Sequence, residues 1–241
     1  MKTLGIIPAR YASTRFPGKP LVKIGDKTML QCVYAQAMLA SRIDHVIVAT
    51  DDDRIFDHVK DFGGNVIMTD PNHQSGTDRC AEVARQIEDY ELIVNIQGDE
   101  PFIDPAQIDL VVEPLQKEVQ IATLAKKIET KDALFNPNVV KVVFDKKHRA
   151  MYFSRNPIPY VRGVLESEWL KTADHYKHIG LYGFSRRTLL EISNLRPGNY
   201  EVWESLEQLR WLENGFDIHV SITDKETIGI DTPEDLVKLQ V

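Results

Sequence analysis

Cysteine is scarce in this chain. Cys32 and Cys80 stand alone among 241 residues, with no Cys-x-x-Cys spacing, which excludes a disulfide framework and predicts a reducing, cytoplasmic address. No apolar stretch approaches the roughly 18–20 residues of a membrane span. Met1-Lys2-Thr3 leads directly into a short strand rather than an apolar leader, so a signal peptide is not expected. A basic surplus is lacking too: 29 Lys and Arg against 36 Asp and Glu leave a net charge of −7, and no run of five like charges occurs. That balance disfavours nucleic-acid binding. There is no internal repeat, low-complexity tract or linker, and 43% hydrophobic with 27% charged residues suits one globular domain over residues 1–241.

Apolar runs alternate with helical patterns along that domain. Leu4, Ile6 and Ile7 form a run that stops at Pro8. His45–Thr50, Asn65–Met68, Leu92–Ile96, Ile121–Ala125, Val139–Phe144, Ile179–Phe184 and Ile218–Ile222 also read as strands. Helices are expected over Asp52–Phe62, Thr77–Glu88, Arg186–Ser193, Glu201–Glu213 and Thr232–Leu239, and between Asp104 and Pro114. Asp104 and Pro105 open that last helix as N-cap and first turn, with Gln107 closing a capping box. The alternation predicts an α/β fold with a mainly parallel sheet and right-handed crossovers. Ser154–Lys177 is the irregular part, expected to be an annex or subunit contact.

No regular apolar pattern resumes between Pro8 and about Met29. Strand-to-helix connections usually take about 2–6 residues, and a longer loop usually carries function or is disordered. This one holds Arg10, Arg15 and Lys19 among Gly, Pro and Ser. It is not a Walker A loop, because Ser13 replaces the first Gly and Pro20 follows Lys19. An acidic chain with cations gathered in one loop points to a small polyanion such as a nucleoside triphosphate, with Arg10, Lys19 and the backbone N–H groups near Ala9 as its clamp.

Two carboxylates suit a metal–phosphate complex. Asp99 follows the Leu92–Ile96 strand in a Gly-containing turn, where ligands bind in open α/β sheets. Asp231 precedes Thr232, Pro233 and Asp235, which form a helix start and leave its carboxylate uncommitted. Mg²⁺ takes few protein oxygens, so Asp99 with Asp231 is the expected pair. His73–Thr77 ends a loop at a helix start, where Ser75 or Thr77 would cap and backbone groups could read a base edge or an anion. Ser154-Arg155 and His178-x-Gly180-x-Tyr182 place polar groups along extended segments. In Glu204–Arg210, Leu206 and Leu209 read as core and the charged residues as a solvated face.

Eight segments from Gly5 to about Leu236 carry a resemblance: IPARYASTRFPGKP, HQSGTDR, VNIQGDEP, NPNVVKVV, YFSRNPIP, HIGLYGF, ESLEQLR and GIDTPEDL. The first alone fits several sugar nucleotidyltransferases. All eight in order resemble the 3-deoxy-manno-octulosonate (Kdo) cytidylyltransferases. The resemblance implies a Rossmann-like sheet of the nucleotide-diphosphosugar transferase type with a dimerisation and sugar-binding annex at about 150–215. It implies a Mg²⁺-dependent homodimer that makes CMP-Kdo from CTP and Kdo for lipopolysaccharide synthesis. Pro8, Ala9, Arg10, Ser13, Lys19, Ser75, Gly76 and Thr77 are the implied nucleotide residues. Arg15, Gln97, Arg155, His178, Tyr182, Glu207 and Gln208 are the implied sugar residues. Arg10, Lys19, Asp99 and Asp231 are the implied catalytic set. Rival readings are a cytidylyltransferase for a related acid sugar, such as the 8-amino analogue or a sialic acid, and a non-catalytic nucleotide-binding protein.

Overall fold

Short apolar runs flanked by helical patterns become a sheet sandwiched between helices. A computed structural model describes residues 1–12, 16–226, 229–230 and 232–239. Its strands are β1 (Thr3–Ala9), β2 (Lys23–Ile24), β3 (Lys27–Thr28), β4 (His45–Thr50), β5 (Val66–Met68), β6 (Leu92–Asn95), β7 (Ile121–Lys127), β8 (Lys141–Phe144), β9 (Ala150–Ser154), β10 (Tyr176–Ser185) and β11 (Ile218–Ile222). Its helices are α1 (Met29–Ala37), α2 (Asp53–Asp61), α3 (Gly76–Gln86), α4 (Pro105–Leu115), α5 (Lys131–Phe135), α6 (Trp169–Thr172), α7 (Arg186–Ile192), α8 (Asn199–Glu204), α9 (Gln208–Glu213) and α10 (Pro233–Leu239). No helix among the described residues is long and apolar enough to cross a membrane.

The main path of the sheet runs β11-β7-β10-β6-β1-β4-β5, with β8 and β9 added beside β10. Along that path only β10 runs antiparallel to its neighbours, so the expectation of a mostly parallel sheet is met. Leu4 and Ile6 of β1 face one core with Ile93, Phe184 and Trp211, while Ile7 and Ala9 face the other with Val48, Val94 and Leu181. Both faces of the central strands are therefore buried, and their sequences read as unbroken apolar runs. From β1 the chain winds outward to β4 and β5, then returns to β6 on the other side of β1. This reversal opens a crevice beyond the carboxyl ends of β1 and β6.

Several local expectations are corrected. Strand β1 does not stop at Pro8 but continues to Ala9, pairing Pro8 with Ala49. Its ladder with β6 ends at Ile6 and Asn95, so the missing N–H of Pro8 falls beyond the last β6 partner. The strand expected over Val139–Phe144 begins at Lys141, because Asn136–Val139 is a turn closed by Val139 N to Asn136 O at 3.1 Å. Gln107 closes no capping box: the Asp104 side chain accepts from Ala106 N, and the Gln107 side chain is buried. The helix expected over Glu201–Glu213 breaks at Ser205, whose φ of 51° is left-handed, giving α8 and α9. Of the span 150–215 expected as an annex, Tyr176–Ser185 is strand β10 inside the main sheet.

Gly183 of β10 lets α4 lie close on the sheet. A Cβ there would sit 2.6 Å from Val111 Cγ1 and 2.7 Å from Leu115 Cδ1. Gly183→Ala is expected to cost about 1–3 kcal/mol by overpacking. Equilibrium urea unfolding checks this, and an unchanged midpoint would show that α4 yields freely.

Candidate active site

Strand ends, one helix start and the basic loop meet in the crevice at the reversal. Pro8, Ala9, Arg10, Lys19, Pro20, Gln74, Ser75, Gly76, Arg79, Asn95, Gln97, Gly98 and Asp99 line a cleft of about 240 Å³. Eight of these were expected from the sequence: Pro8, Ala9, Arg10, Lys19, Ser75, Gly76, Gln97 and Asp99. Ser13, Arg15 and Asp231 lie outside the described residues.

The basic loop is shaped by local bonds. Gly18 N donates to Tyr11 O at 2.9 Å, drawing Lys19 back toward the strand end, and Gly18 takes a φ of 71° that suits glycine. The Arg54 guanidinium covers the Tyr11 ring at 3.3 Å from its centroid. Lys19 Nζ then donates to Asp99 Oδ2 at 2.8 Å. Asp99 reaches this position because β6 ends in a turn that passes close over β1: a Cβ on Gly98 would lie 2.9 Å from Pro8 O. No real side chain tolerates that approach to a backbone oxygen, so glycine is required there.

Arg10 and Arg79 share an anchor that sequence reading missed. Arg79 is 1% exposed and donates from Nη2 to Asp51 Oδ2 at 2.9 Å and from Nη1 to Thr69 Oγ1. Arg10 Nε lies 3.9 Å from the same Asp51 oxygen, and Arg10 Nη2 is 3.5 Å from Pro71 O. The signal for Arg79 was its place one turn into the HQSGTDR helix, on the face that carries Ser75. Asp51 gave no signal, because its partners come from elsewhere in the chain.

Ser75 caps α3 in a capping box, with Asp78 N donating to Ser75 Oγ at 3.1 Å and Ser75 N to Asp78 Oδ2 at 3.2 Å. The N-terminus of this eleven-residue helix faces the cleft and favours negative charge there. The same Ser75 Oγ donates to Glu207 Oε1 at 3.0 Å, and Thr77 Oγ1 donates to Glu207 Oε2 at 2.7 Å. Glu207 is thus not part of a solvated face. Burial outweighs its two hydroxyl donors and holds its carboxyl above the usual carboxylate range. Arg210 is not solvated either, since it grips Glu201 through Nε at 2.7 Å and Nη2 at 2.5 Å.

The remaining expected sugar residues lie outside the cleft lining. Gln97 is an exception, and its Nε2 donates to Gly180 O at 2.9 Å, where the β10 register shifts. Thr123 Oγ1 donates to Ile179 O and Leu181 O in the same irregular stretch and lies 3.0 Å from His178 Nε2. The His178 ring packs on Phe153 and Tyr182, and burial pushes its pKa down to about 3, so the imidazole is neutral near pH 7. Tyr182 is 7% exposed, and Gln208 opens α9 with its Nε2 buried. Arg155 stands apart, with its guanidinium on main-chain carbonyls of Pro137, Glu204 and Ser205.

The donor set fits a small hard cation. Asp99 presents its carboxylate in the cleft, and Ile230 N donates to Asp99 O at 2.9 Å, bringing the segment that leads to Asp231 alongside. Among the described residues no cluster of three His, Cys, Asp or Glu could hold a metal unaided. One or two carboxylates completed by phosphate oxygens and water are what Mg²⁺ prefers.

Comparisons with known proteins converge. A cytidylyltransferase family model matches residues 4–222. A 3-deoxy-manno-octulosonate cytidylyltransferase of Parabacteroides distasonis is 56% identical over 244 residues, covering 99% of this chain and 96% of its own. One from Cytophaga hutchinsonii is 52% identical over 238 residues, covering 98% and 95%. A solved CMP:2-keto-3-deoxy-manno-octonic acid synthetase complexed with CTP matches with a TM-score of 0.92 and 40% identity, over 100% of this chain and 97% of that one.

Beside Asp99, the Glu100 carboxyl is largely buried, and Oε2 has no hydrogen-bond partner among the described residues. Burial, reinforced by the Asp99 charge, pushes its pKa up to about 7. A raised carboxyl pKa means the folded state holds the proton more tightly than the unfolded chain. Its contribution is full below the unfolded value of about 4.3 and is lost as pH rises through 7, a change of roughly 4 kcal/mol. Glu100→Gln should therefore flatten the decline in stability between about pH 4 and pH 8, as read by urea unfolding. An unchanged pH slope would show that this carboxyl is ionised throughout.

Proposed function

The chain belongs to the cytidylyltransferase family, and from that premise we propose that it joins CTP to 3-deoxy-manno-octulosonate, giving CMP-Kdo and diphosphate. The carrying observation is the convergence of Arg10, Lys19, the α3 N-terminus and Asp99 on one cleft at the sheet reversal. The sugar's anomeric hydroxyl oxygen bonds to the α-phosphorus. The bond from that phosphorus to the β-phosphate bridging oxygen breaks, diphosphate leaves, and the hydroxyl proton passes to solvent. No protein nucleophile is needed, so catalysis rests on positioning and charge.

In this reading Arg10 and Lys19 bind the phosphates, with Arg79 behind Arg10. Pro8 and Ala9 bring the main chain of β1 to the nucleotide, joined by Ser13. The turn Ser75-Gly76-Thr77 receives the cytosine. Asp99 and Asp231 hold Mg²⁺, which when bound offsets phosphate charge and lowers the pKa of a coordinated hydroxyl. Gln97, Arg15, His178, Tyr182 and Gln208 surround the sugar acid. His178, being neutral, offers a hydrogen bond rather than a charge. The setting is lipopolysaccharide synthesis in the cytoplasm, where unpaired Cys32 and Cys80 stay reduced. A homodimer is part of the reading, supported by the exposed apolar Met151 of β9 and Val202 and Trp203 of α8.

Diphosphate release from CTP should require both Kdo and Mg²⁺, with less release for the 8-amino analogue and for sialic acid. Release that ignores the acid, or favours another acid, would overturn the assignment. Arg10→Ala should lower turnover on the order of 10²-fold, as for loss of one preorganised charge donor. Asp99→Asn should raise the Mg²⁺ needed for half-maximal rate, and full turnover with unchanged Mg²⁺ dependence would remove Asp99 from the metal site.

A further inference from the structure

The left-handed turn at Ser205 has a cost and a holder. A non-glycine residue at φ 51° is unfavourable by about 1 kcal/mol. A continuous helix through Glu204 and Ser205 would spend their carbonyls on Gln208 N and Leu209 N. Instead, Arg155 donates from Nε to Glu204 O at 2.6 Å and from Nη2 to Ser205 O at 3.2 Å, while Leu209 N turns to Leu206 O at 3.1 Å. The Glu204 carboxylate returns the grip by accepting from Ser154 Oγ at 2.7 Å and Arg155 N at 2.9 Å.

This clasp is itself seated firmly. Arg155 Nη1 donates to Pro137 O at 3.1 Å. Lys141, fully buried, donates from Nζ to Arg155 O at 2.5 Å, Val139 O at 2.6 Å and Asn136 O at 3.0 Å. Two residues past the turn, Glu207 reaches the hydroxyls of Ser75, which lines the cleft, and of the buried Thr77. Breaking the Ser205 turn moves Glu207, and leaving the buried Thr77 hydroxyl without its acceptor is costly.

We infer that Arg155 and Glu204 are positioning residues: they hold the Ser205 turn so that Glu207 fixes the Ser75–Thr77 turn for the nucleotide. Arg155 then acts on CTP from a distance rather than touching the sugar acid, as the family resemblance implied. The inference rests on the proposed reaction only in taking CTP as the nucleotide.

Calorimetric titration with CTP and Mg²⁺ tests it, with steady-state kinetics alongside. Arg155→Ala should weaken CTP binding about tenfold, or about 1.4 kcal/mol. Because glycine adopts positive φ freely, adding Ser205→Gly to Arg155→Ala should restore most of the CTP affinity. Arg155→Ala in a Glu207→Gln background should add little, since both act through one contact. If Arg155→Ala fails to fold, Glu204→Gln keeps the shape and should weaken CTP about threefold. A rise in the Kdo KM with CTP affinity intact, no rescue by Ser205→Gly, or additive losses would each overturn the inference. Wild-type protein that binds CTP but makes no product from Kdo would sink the reaction while leaving this test readable.

Discussion

The cleft depends on how closely two main chains pass at its floor. Gly98 lies so near the Pro8 carbonyl that even a methyl group would collide with it. That approach is possible because the β6 ladder ends at Asn95 and because Pro8 asks nothing of the space beyond. With the turn pressed down, Asp99 emerges opposite Lys19 and its carbonyl meets Ile230 N. The charge layout of the site follows from a backbone contact rather than from any charged residue.

Around that floor, Lys19 and Arg79 are each held by a carboxylate that also defines where it points. Lys19 meets Asp99, and Arg79 with Arg10 shares Asp51. Such pairs keep long side chains from wandering, so little rotamer entropy is left to lose when an anion arrives. The α3 N-terminus adds a partial charge with no mobile side chain at all. Glu207 extends the same logic into the helix pair α8–α9, where a buried carboxylate fixes two hydroxyls across 130 or more residues of sequence.

What is legible from sequence alone follows from the range of each interaction. The strands and most helices announce themselves through apolar periodicity and caps, as at Ser75 and Asp104, because those signals are local. Asp99 and Lys19 were readable from their place after a strand and inside a long loop. The family pattern reaches further, naming Glu207 and Gln208 before any contact is known. It could not say that Arg155 closes on main-chain carbonyls, that Asp51 anchors two arginines, or that Ser205 breaks the helix expected over Glu201–Glu213. Each of these depends on partners brought together by the strand order, which periodicity does not encode.

The same strand order has a bearing on how the protein is made. Every described residue lining the cleft lies between Pro8 and Asp99. Strand β10, which covers the outer edge of β6, begins 81 residues after Asn95, at Tyr176. On a ribosome adding about 5–20 residues per second, these lining residues are all made several seconds before the sheet is closed. During that interval β6 is an open parallel edge, the kind of surface on which nascent chains pair wrongly. The brevity of β6, four residues from Leu92 to Asn95, limits how much of that edge is on offer.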